Sequence, residues 1–278
     1  MVLLMTFLDI KDGNSTFIKT PNNMNIIFDC GSDLETGISA FSLIPNEDLN
    51  YLIISHPHRD HISALINTNF KKPKTLNRNK EIPERLIEER IRNSDNEKDK
   101  KIFRKYLDLN ERYNSPANPK TYAGDSKNNG NVMIETFKPP FKETDDLNYY
   151  SLATYIEYQG FKILLMGDNT LDNINKLLEN SKFKRLTSNI DVLLAPHHGR
   201  NSCYSPNLMD HLKPDITIIS DDSEKNDESA IDKYTSNSKG LYVLKNDNMV
   251  KRYCLTTRND GNILLSIKNN EMNIICLK

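Results

Sequence analysis

Tryptophan is absent from this 278-residue chain, and cysteine occurs only four times. Cys30, Cys203, Cys254 and Cys276 are far apart and form no Cys-x-x-Cys pair, which argues against a zinc ribbon or a dithiol redox motif. Nothing in their spacing requires a disulfide, and reduced thiols in a cytosolic protein are the simpler reading. A charge excess is also missing. With 37 basic and 38 acidic residues, net charge points neither to nucleic acid nor away from it. No stretch approaches the roughly 20 apolar residues that span a bilayer. The opening Met1-Val2-Leu3-Leu4-Met5 has no basic residue before it and soon meets Asp9, so it reads as a first strand rather than a signal peptide. These absences lead us to expect a cytoplasmic protein with no membrane partner. Its size suits one α/β domain that needs no covalent staples.

What is present is a succession of short apolar runs. Thr6 to Ile10, Ser15 to Lys19 and Asn25 to Asp29 read as strands, the first two separated by the turn-like Lys11-Asp12-Gly13-Asn14. Tyr51 to Ile54 is a continuous apolar run, as expected of a strand buried on both faces. Further strands are predicted over Val132 to Phe137, Leu152 to Tyr158, Phe161 to Met166, Asp191 to Ala195, Asp215 to Ser220, Leu241 to Leu244 and Asn262 to Ile267. Gln159-Gly160 is a hairpin turn in this reading, and Asp172 to Leu178 a helix. Phe70 to Lys120 differs in character, with 15 basic against 9 acidic residues. There Ile82, Leu86, Ile87 and Ile91, then Ile102, Phe103, Tyr106, Leu107 and Tyr113, recur at helical spacing. Two amphipathic helices inserted at about residues 70–120 are expected. There is no internal repeat. The pattern predicts two packed sheets flanked by helices, a four-layer α/β sandwich.

Three clusters of metal-ligating residue types each follow an apolar strand. His56-Pro57-His58-Arg59-Asp60-His61 holds three of the six histidines. In an extended chain His56 and His58 point the same way and can meet one metal, while Asp60 and His61 can serve a second beside it. Gly167-Asp168 follows the next strand pair; a glycine permits the sharp turn, and a carboxylate can bridge two cations. Pro196-His197-His198-Gly199 follows a third strand. One of its histidines is read as a ligand, the other as a second ligand or a substrate donor. His211 is read as a surface or satisfied histidine. Divalent metals bound by His and Asp acidify water, so the constellation predicts hydrolysis without a protein nucleophile.

At these residues the chain resembles the metallo-β-lactamase superfamily, whose signature is His-x-His-x-Asp-His. It is closer to the soluble hydrolase domain of ComEC-type DNA-uptake proteins. That likeness runs through Phe7-Leu8-Asp9-Ile10, Ile26 to Gly31, Asn148-Tyr149-Tyr150-Ser151-Leu152, Leu165 to Asp168 and Ala195 to Gly199. The tail Arg258 to Ile263 looks like the family's closing hairpin. The resemblance implies the αββα sandwich. It also implies His56 and His58 on one metal, Asp60 and His61 on the other, Asp168 between them and a histidine of the 197–198 pair completing the second site. His197 is carried forward as that ligand and His198, with Asp60, as catalytic. Asn148, Ser151 and Arg200 are the candidate substrate contacts. The chain departs from the family in having no histidine between His61 and His197, so its first site is short of a protein ligand or completed by oxygen or water. Oxygen ligands shift preference from zinc toward manganese, and one or two Zn2+ or Mn2+ ions are expected. The family's loop after Ser220 is here the acidic Asp221-Asp222-Ser223-Glu224-Lys225, read as a solvated loop.

The ComEC-type likeness implies phosphodiester hydrolysis, with DNA as the leading substrate. Lys71, Lys72 and Lys74, clustered with no acid between them, are the expected phosphate contacts. A stand-alone nuclease would need restraint by a partner or a homo-oligomer, and an antiviral defence role would fit that. The alternatives are hydrolysis of a small phosphorylated or acylated molecule, such as a cyclic nucleotide, and a non-catalytic metal-binding module.

Overall fold

The computed structural model describes residues 1–11, 13–220 and 229–278. Asp12 of the expected Lys11–Asn14 turn and the acidic loop after Ser220 lie outside the described residues. The strands are β1 (Leu3–Phe7), β2 (Ser15–Lys19), β3 (Asn25–Cys30), β4 (Tyr51–Ile53), β5 (Thr75–Asn77), β6 (Met133–Phe137), β7 (Ala153–Tyr158), β8 (Phe161–Leu165), β9 (Val192–Leu194), β10 (Ile216–Ile219), β11 (Leu241–Lys245), β12 (Asn248–Arg252), β13 (Cys254–Thr256), β14 (Ile263–Lys268) and β15 (Glu271–Cys276). The helices are α1 (Arg59–Ile62), α2 (Glu84–Asn93), α3 (Glu97–Arg112), α4 (Leu171–Glu179), α5 (Ser181–Thr187), α6 (Pro206–Leu212), α7 (Ile231–Ser236) and α8 (Thr257–Asp260). One sheet runs β12-β11-β15-β14-β1-β2-β3-β4-β5, the other β13-β10-β9-β8-β7-β6.

Period-two alternation distributes the side chains into layers. Ile26 and Phe28 of β3, Tyr51 and Ile53 of β4, Ile163 and Leu165 of β8, and Val192 and Leu194 of β9 meet in one core between the sheets. Their neighbours Ile27, Leu52 and Ile54 point the other way. There they pack with Leu86 and Ile87 of α2 and Ile102, Phe103 and Tyr106 of α3. On the far side Tyr155, Leu164 and Leu193 pack with Ile174 and Leu177 of α4, Phe183 of α5 and Leu208 of α6. The result is helix, sheet, sheet, helix. The two helices expected as an insertion form part of the outer layer on the larger sheet. Among the described residues, no helix is long and apolar enough to cross a membrane.

Several expectations shift. The first strand is Leu3–Phe7, which joins the end of the opening apolar run to the start of the expected Thr6 to Ile10. The expected insertion opens with β5, which pairs parallel to β4, Leu52 opposite Leu76. Three residues are too few to carry a periodic signal. The stretch Arg258 to Ile263 is no hairpin: Thr257–Asp260 is one helical turn capped by the Thr256 hydroxyl. The closing hairpin joins β14 to β15. Its turn is Asn269-Asn270, both with positive φ as a type I′ turn needs. The expected turn at Gln159-Gly160 also has two positive φ values and joins β7 to β8.

Strands β3, β4 and β5 are parallel, as are β8, β9 and β10. Their carboxyl ends therefore face one edge of the sandwich. The turns there carry Asp29, Ser55 to His61, Gly167-Asp168 and Pro196 to His198. Loops held by strand ends are rigid enough to fix functional groups. Two main-chain bonds tie these turns together, Leu152 N–H to Ser55 O at 2.9 Å and His197 N–H to Gly167 O at 2.9 Å.

Candidate metal centre

The His56–His61 segment leaves β4 extended and becomes the short α1 at Arg59. The Asp60 carbonyl is gripped from behind, accepting from Asn14 N–H at 3.2 Å. Gly31 abuts the same carbonyl so closely that any Cβ there would clash with it. Gly167, with φ +54, makes the turn that aims Asp168 inward, and a Cβ at this position would lie 2.8 Å from Ser151 Oγ.

Two groups of donor atoms result, each close enough to hold one metal ion: His56, His58 and Asp168, and Asp60, His61, Asp168 and His198. Asp168 belongs to both. Its Oδ2 lies 3.7 Å from His56 Nε2, and its Oδ1 lies 3.1 Å from His61 Nε2 and 3.7 Å from His198 Nε2. Asp60 Oδ2 is 3.3 Å from His61 Nε2 and 3.2 Å from His198 Nε2.

The far nitrogens of the rings fix which lone pair faces the centre. His61 Nδ1 donates to Asp29 Oδ2 at 2.8 Å. His198 Nδ1 donates to Ser220 O at 2.8 Å. Ser55 Oγ donates to Asp29 Oδ2 at 2.7 Å, so it accepts from His56 Nδ1 at 3.1 Å. Each imidazole is thereby oriented with Nε2 inward. His56 Nε2 and His58 Nδ1 lie 2.9 Å apart, so two lone pairs meet unless a proton or a cation sits between them.

Asp29, Asp60 and Asp168 form no ion pair with lysine or arginine among the described residues. Asp29 and Asp168 are buried and Asp60 is half-buried beside them, and carboxylates so placed need a compensating cation. Without a metal that cation is a proton on histidine. Burial pulls the His61 imidazole down, but Asp168, Asp60 and Asp29 outweigh it and hold its pKa well above the usual value. For His198 burial is likewise outweighed, by Asp168 and Asp60, and the pKa is pushed up to about 9. Burial would raise the Asp168 carboxyl, yet His61, His198 and His56 hold it well below the usual range. His61 Nε2 is fully buried and has no hydrogen-bond partner. An orphaned nitrogen facing two carboxylate oxygens, with its ring already tethered, suits a divalent cation better than a proton.

The expected site residues separate. His56, His58, Asp60, His61 and Asp168 come together. The expected division within the histidine pair is reversed: His198 sits inside the second donor group with both ring nitrogens engaged, while His197 falls outside both groups. His197 Nε2 stands 3.6 Å from Asp168 Oδ2, its Nδ1 is 3.2 Å from Cys203 Sγ, and the ring lines the cavity. Both residues have left-handed backbones, φ 48° and 52°, strain of the kind that functional turns hold. Asn148 and Arg200, the other two candidate substrate contacts, line the cavity. Ser151 does not. It is fully buried beneath the centre, where its Oγ accepts from Asp168 N–H at 2.9 Å, so it positions Asp168 instead of meeting substrate. Lys71 donates to Pro45 O, Lys74 pairs with Asp48 at 2.8 Å, and none of the three lysines lines the cavity. His211 is satisfied by Thr187 Oγ1 at 3.1 Å. Asp29 was missed, although the acid closing an apolar strand before Cys30-Gly31 was the available signal. It has φ 53°, which swings its carboxylate onto the Ser55 N–H at 2.7 Å.

The model of the metallo-beta-lactamase superfamily matches residues 8–71, a stretch that contains the His56–His61 segment. The four layers are those of the metallo-β-lactamase fold. Among solved structures, the chain is similar to the metallo-beta-lactamase fold protein YhfI from Bacillus subtilis, with 13% identity, a TM-score of 0.42, and coverage of 77% of this chain and 85% of that one. It is also similar to a protein of unknown function from Enterococcus faecalis V583 (15%, TM-score 0.42, 70% and 49%). A third is Zn(2+)-bound PqqB from Methylobacterium extorquens (14%, TM-score 0.39, 66% and 59%). The chain thus spans about half to three-fifths of the latter two. No curated protein sequence matches it.

Proposed function

We propose that the chain is a metal-dependent hydrolase of phosphodiesters. The observation that carries this reading is the pair of donor groups sharing Asp168 at the floor of an open cavity of about 550 Å³. His56 and His58 would hold one divalent ion, Asp60, His61 and His198 the other, with Asp168 common to both. The oxygen-rich second group suits manganese as well as zinc. Such ions, when bound, acidify water and offset the negative charge that develops at phosphorus. The chain's own residues do the rest. Asp29, Ser55, Ser151 and Ser220 hold the ligand side chains in register. Asn148 and His197, on the cavity wall, can donate to a phosphoryl oxygen. Hydrolysis forms a P–O bond to the oxygen of water and breaks the P–O bond to the leaving alcohol, giving a phosphomonoester and an alcohol.

DNA is the polymeric candidate, and the lysine cluster offers it no support. Helices α2 and α3 contribute Arg90, Asn93 and Phe103 to one wall, and that bounded shape favours a small phosphodiester or a single strand over an intact duplex. The test is incubation with bis-p-nitrophenyl phosphate, a thymidine dinucleotide, single-stranded DNA and linear duplex under manganese, zinc and magnesium. Metal-dependent release of p-nitrophenol that Asp168→Asn abolishes is the expected result. No cleavage of any of the four with any metal would overturn the reading.

A further inference from the structure

The cavity carries cations that the donor groups do not use. Arg59 comes from α1, Arg90 from α2 and Arg200 from the turn after Gly199, three separate segments converging on one space. Arg59 has a partner, Asp99, whose carboxylate oxygens lie 3.4 and 3.5 Å from its guanidinium. Arg90 and Arg200 are exposed and form no side-chain hydrogen bond or ion pair among the described residues. Exposed arginine usually finds a carboxylate or faces bulk water. Here two unpaired guanidiniums instead flank a cavity whose floor is already the place for a scissile phosphate.

We infer that Arg90 and Arg200 form a clamp for a second anionic group of the substrate, one linkage away from the phosphodiester that is cleaved. This rests on the phosphodiester reading and deepens it. The substrate class is a nucleotide or oligonucleotide carrying a phosphate beside the scissile one. Guanidinium suits the task because its planar fork meets two phosphate oxygens at once. Arg90 belongs to the segment that separates this chain's first metal motif from β6, so the helical layer contributes to substrate choice as well as to packing. Arg90 and His58 line the same cavity, which places Arg90 at the rim of the first donor group.

The test measures binding apart from cleavage. The probes are two thymidine dinucleotides with a non-cleavable methylenephosphonate link, one with a 5′-phosphate and one without, titrated calorimetrically into manganese-loaded protein. The wild type should bind the 5′-phosphorylated form about tenfold or more tightly, as expected of charge-assisted contacts. R90Q/R200Q should bind both forms within about twofold of each other. Both positions are exposed, so the substitutions leave the core intact. Equal affinity for the two probes in the wild type, or a preference that survives in the double variant, overturns the clamp. Binding of neither probe overturns it as well. Arginine-dependent preference in a protein that cleaves none of the four cleavable substrates would support the clamp while removing the hydrolase reading. Cleavage without the preference would do the reverse.

Discussion

The segment His56 to His61 and the lysines Lys71, Lys72 and Lys74 are close in sequence and end at opposite edges of the same two strands. The histidines follow the carboxyl end of β4. The lysines precede β5, where Lys74 N–H bonds to Leu49 O, ahead of the β4 start. In a parallel pair the chain must return to the starting edge before the next strand begins. Residues just after one strand and just before the next are therefore a strand length apart. The carboxyl ends of β3, β4, β8 and β9 converge instead, from distant parts of the sequence, and every donor of the candidate centre comes from them. At the carboxyl edge Asp29 and Asp168 are buried, tethered and unbalanced without a cation. At the amino edge Lys74 is exposed and paired with Asp48, and Lys71 donates to Pro45 O.

That contrast sets the order of expected effects. Asp168→Asn removes the one carboxylate common to both donor groups. Hydrolysis should fall by about a thousand-fold, the scale seen when an electrostatic element of a site is lost, as read from initial rates on bis-p-nitrophenyl phosphate. Asp29→Ala comes next. It leaves the donors in place but frees the His61 ring and the Ser55 hydroxyl, so metal affinity should weaken by about 10- to 100-fold in a competition titration with a chelating dye. Stripping metal with a chelator should lower the thermal midpoint by several degrees. A ligand at 100 times its dissociation constant contributes about 2.7 kcal/mol, and each kcal/mol corresponds to about 2–4 °C in a chain of this size. At the other edge, replacing Lys71, Lys72 and Lys74 with alanine together should change DNA cleavage less than about twofold across a salt titration, because phosphate contacts are what give affinity its salt slope. A steep loss in the triple variant would move the substrate path to the amino edge and break the comparison.

How much of this was legible follows from where each partner lies in the sequence. His56, His58, Asp60 and His61 were legible because one extended segment brings them together by local geometry. Asp168 gained meaning only from that segment, since Gly-Asp alone is an ordinary turn. The four layers followed from strands whose alternate residues are apolar, yet β15, with Glu271, Met272 and Asn273 exposed or half-buried at its start, gave no such alternation. Asp29 was not legible as a tether: its partners, Ser55 and His61, are 26 and 32 positions away and meet it only through sheet pairing. The roles of His197 and His198 hinge on which ring nitrogen is tethered, and Ser220 O, which decides it, lies just past the end of the neighbouring strand β10. Of the cationic rim Arg200 was an expected substrate contact, whereas Arg90 was not legible because it resembled any solvent-facing residue of an amphipathic helix.

Metal content is the most direct test of the shared carboxylate. Wild-type protein and Asp168→Asn would be equilibrated with manganese or zinc, desalted, and counted for metal per chain by plasma mass spectrometry, with circular dichroism to check that both are folded. The wild type should retain about two ions per chain, or one under limiting metal, and the folded variant should retain less than half as much. A wild type that retains none, or a folded Asp168→Asn that retains as much as the wild type, would contradict a centre built on Asp168.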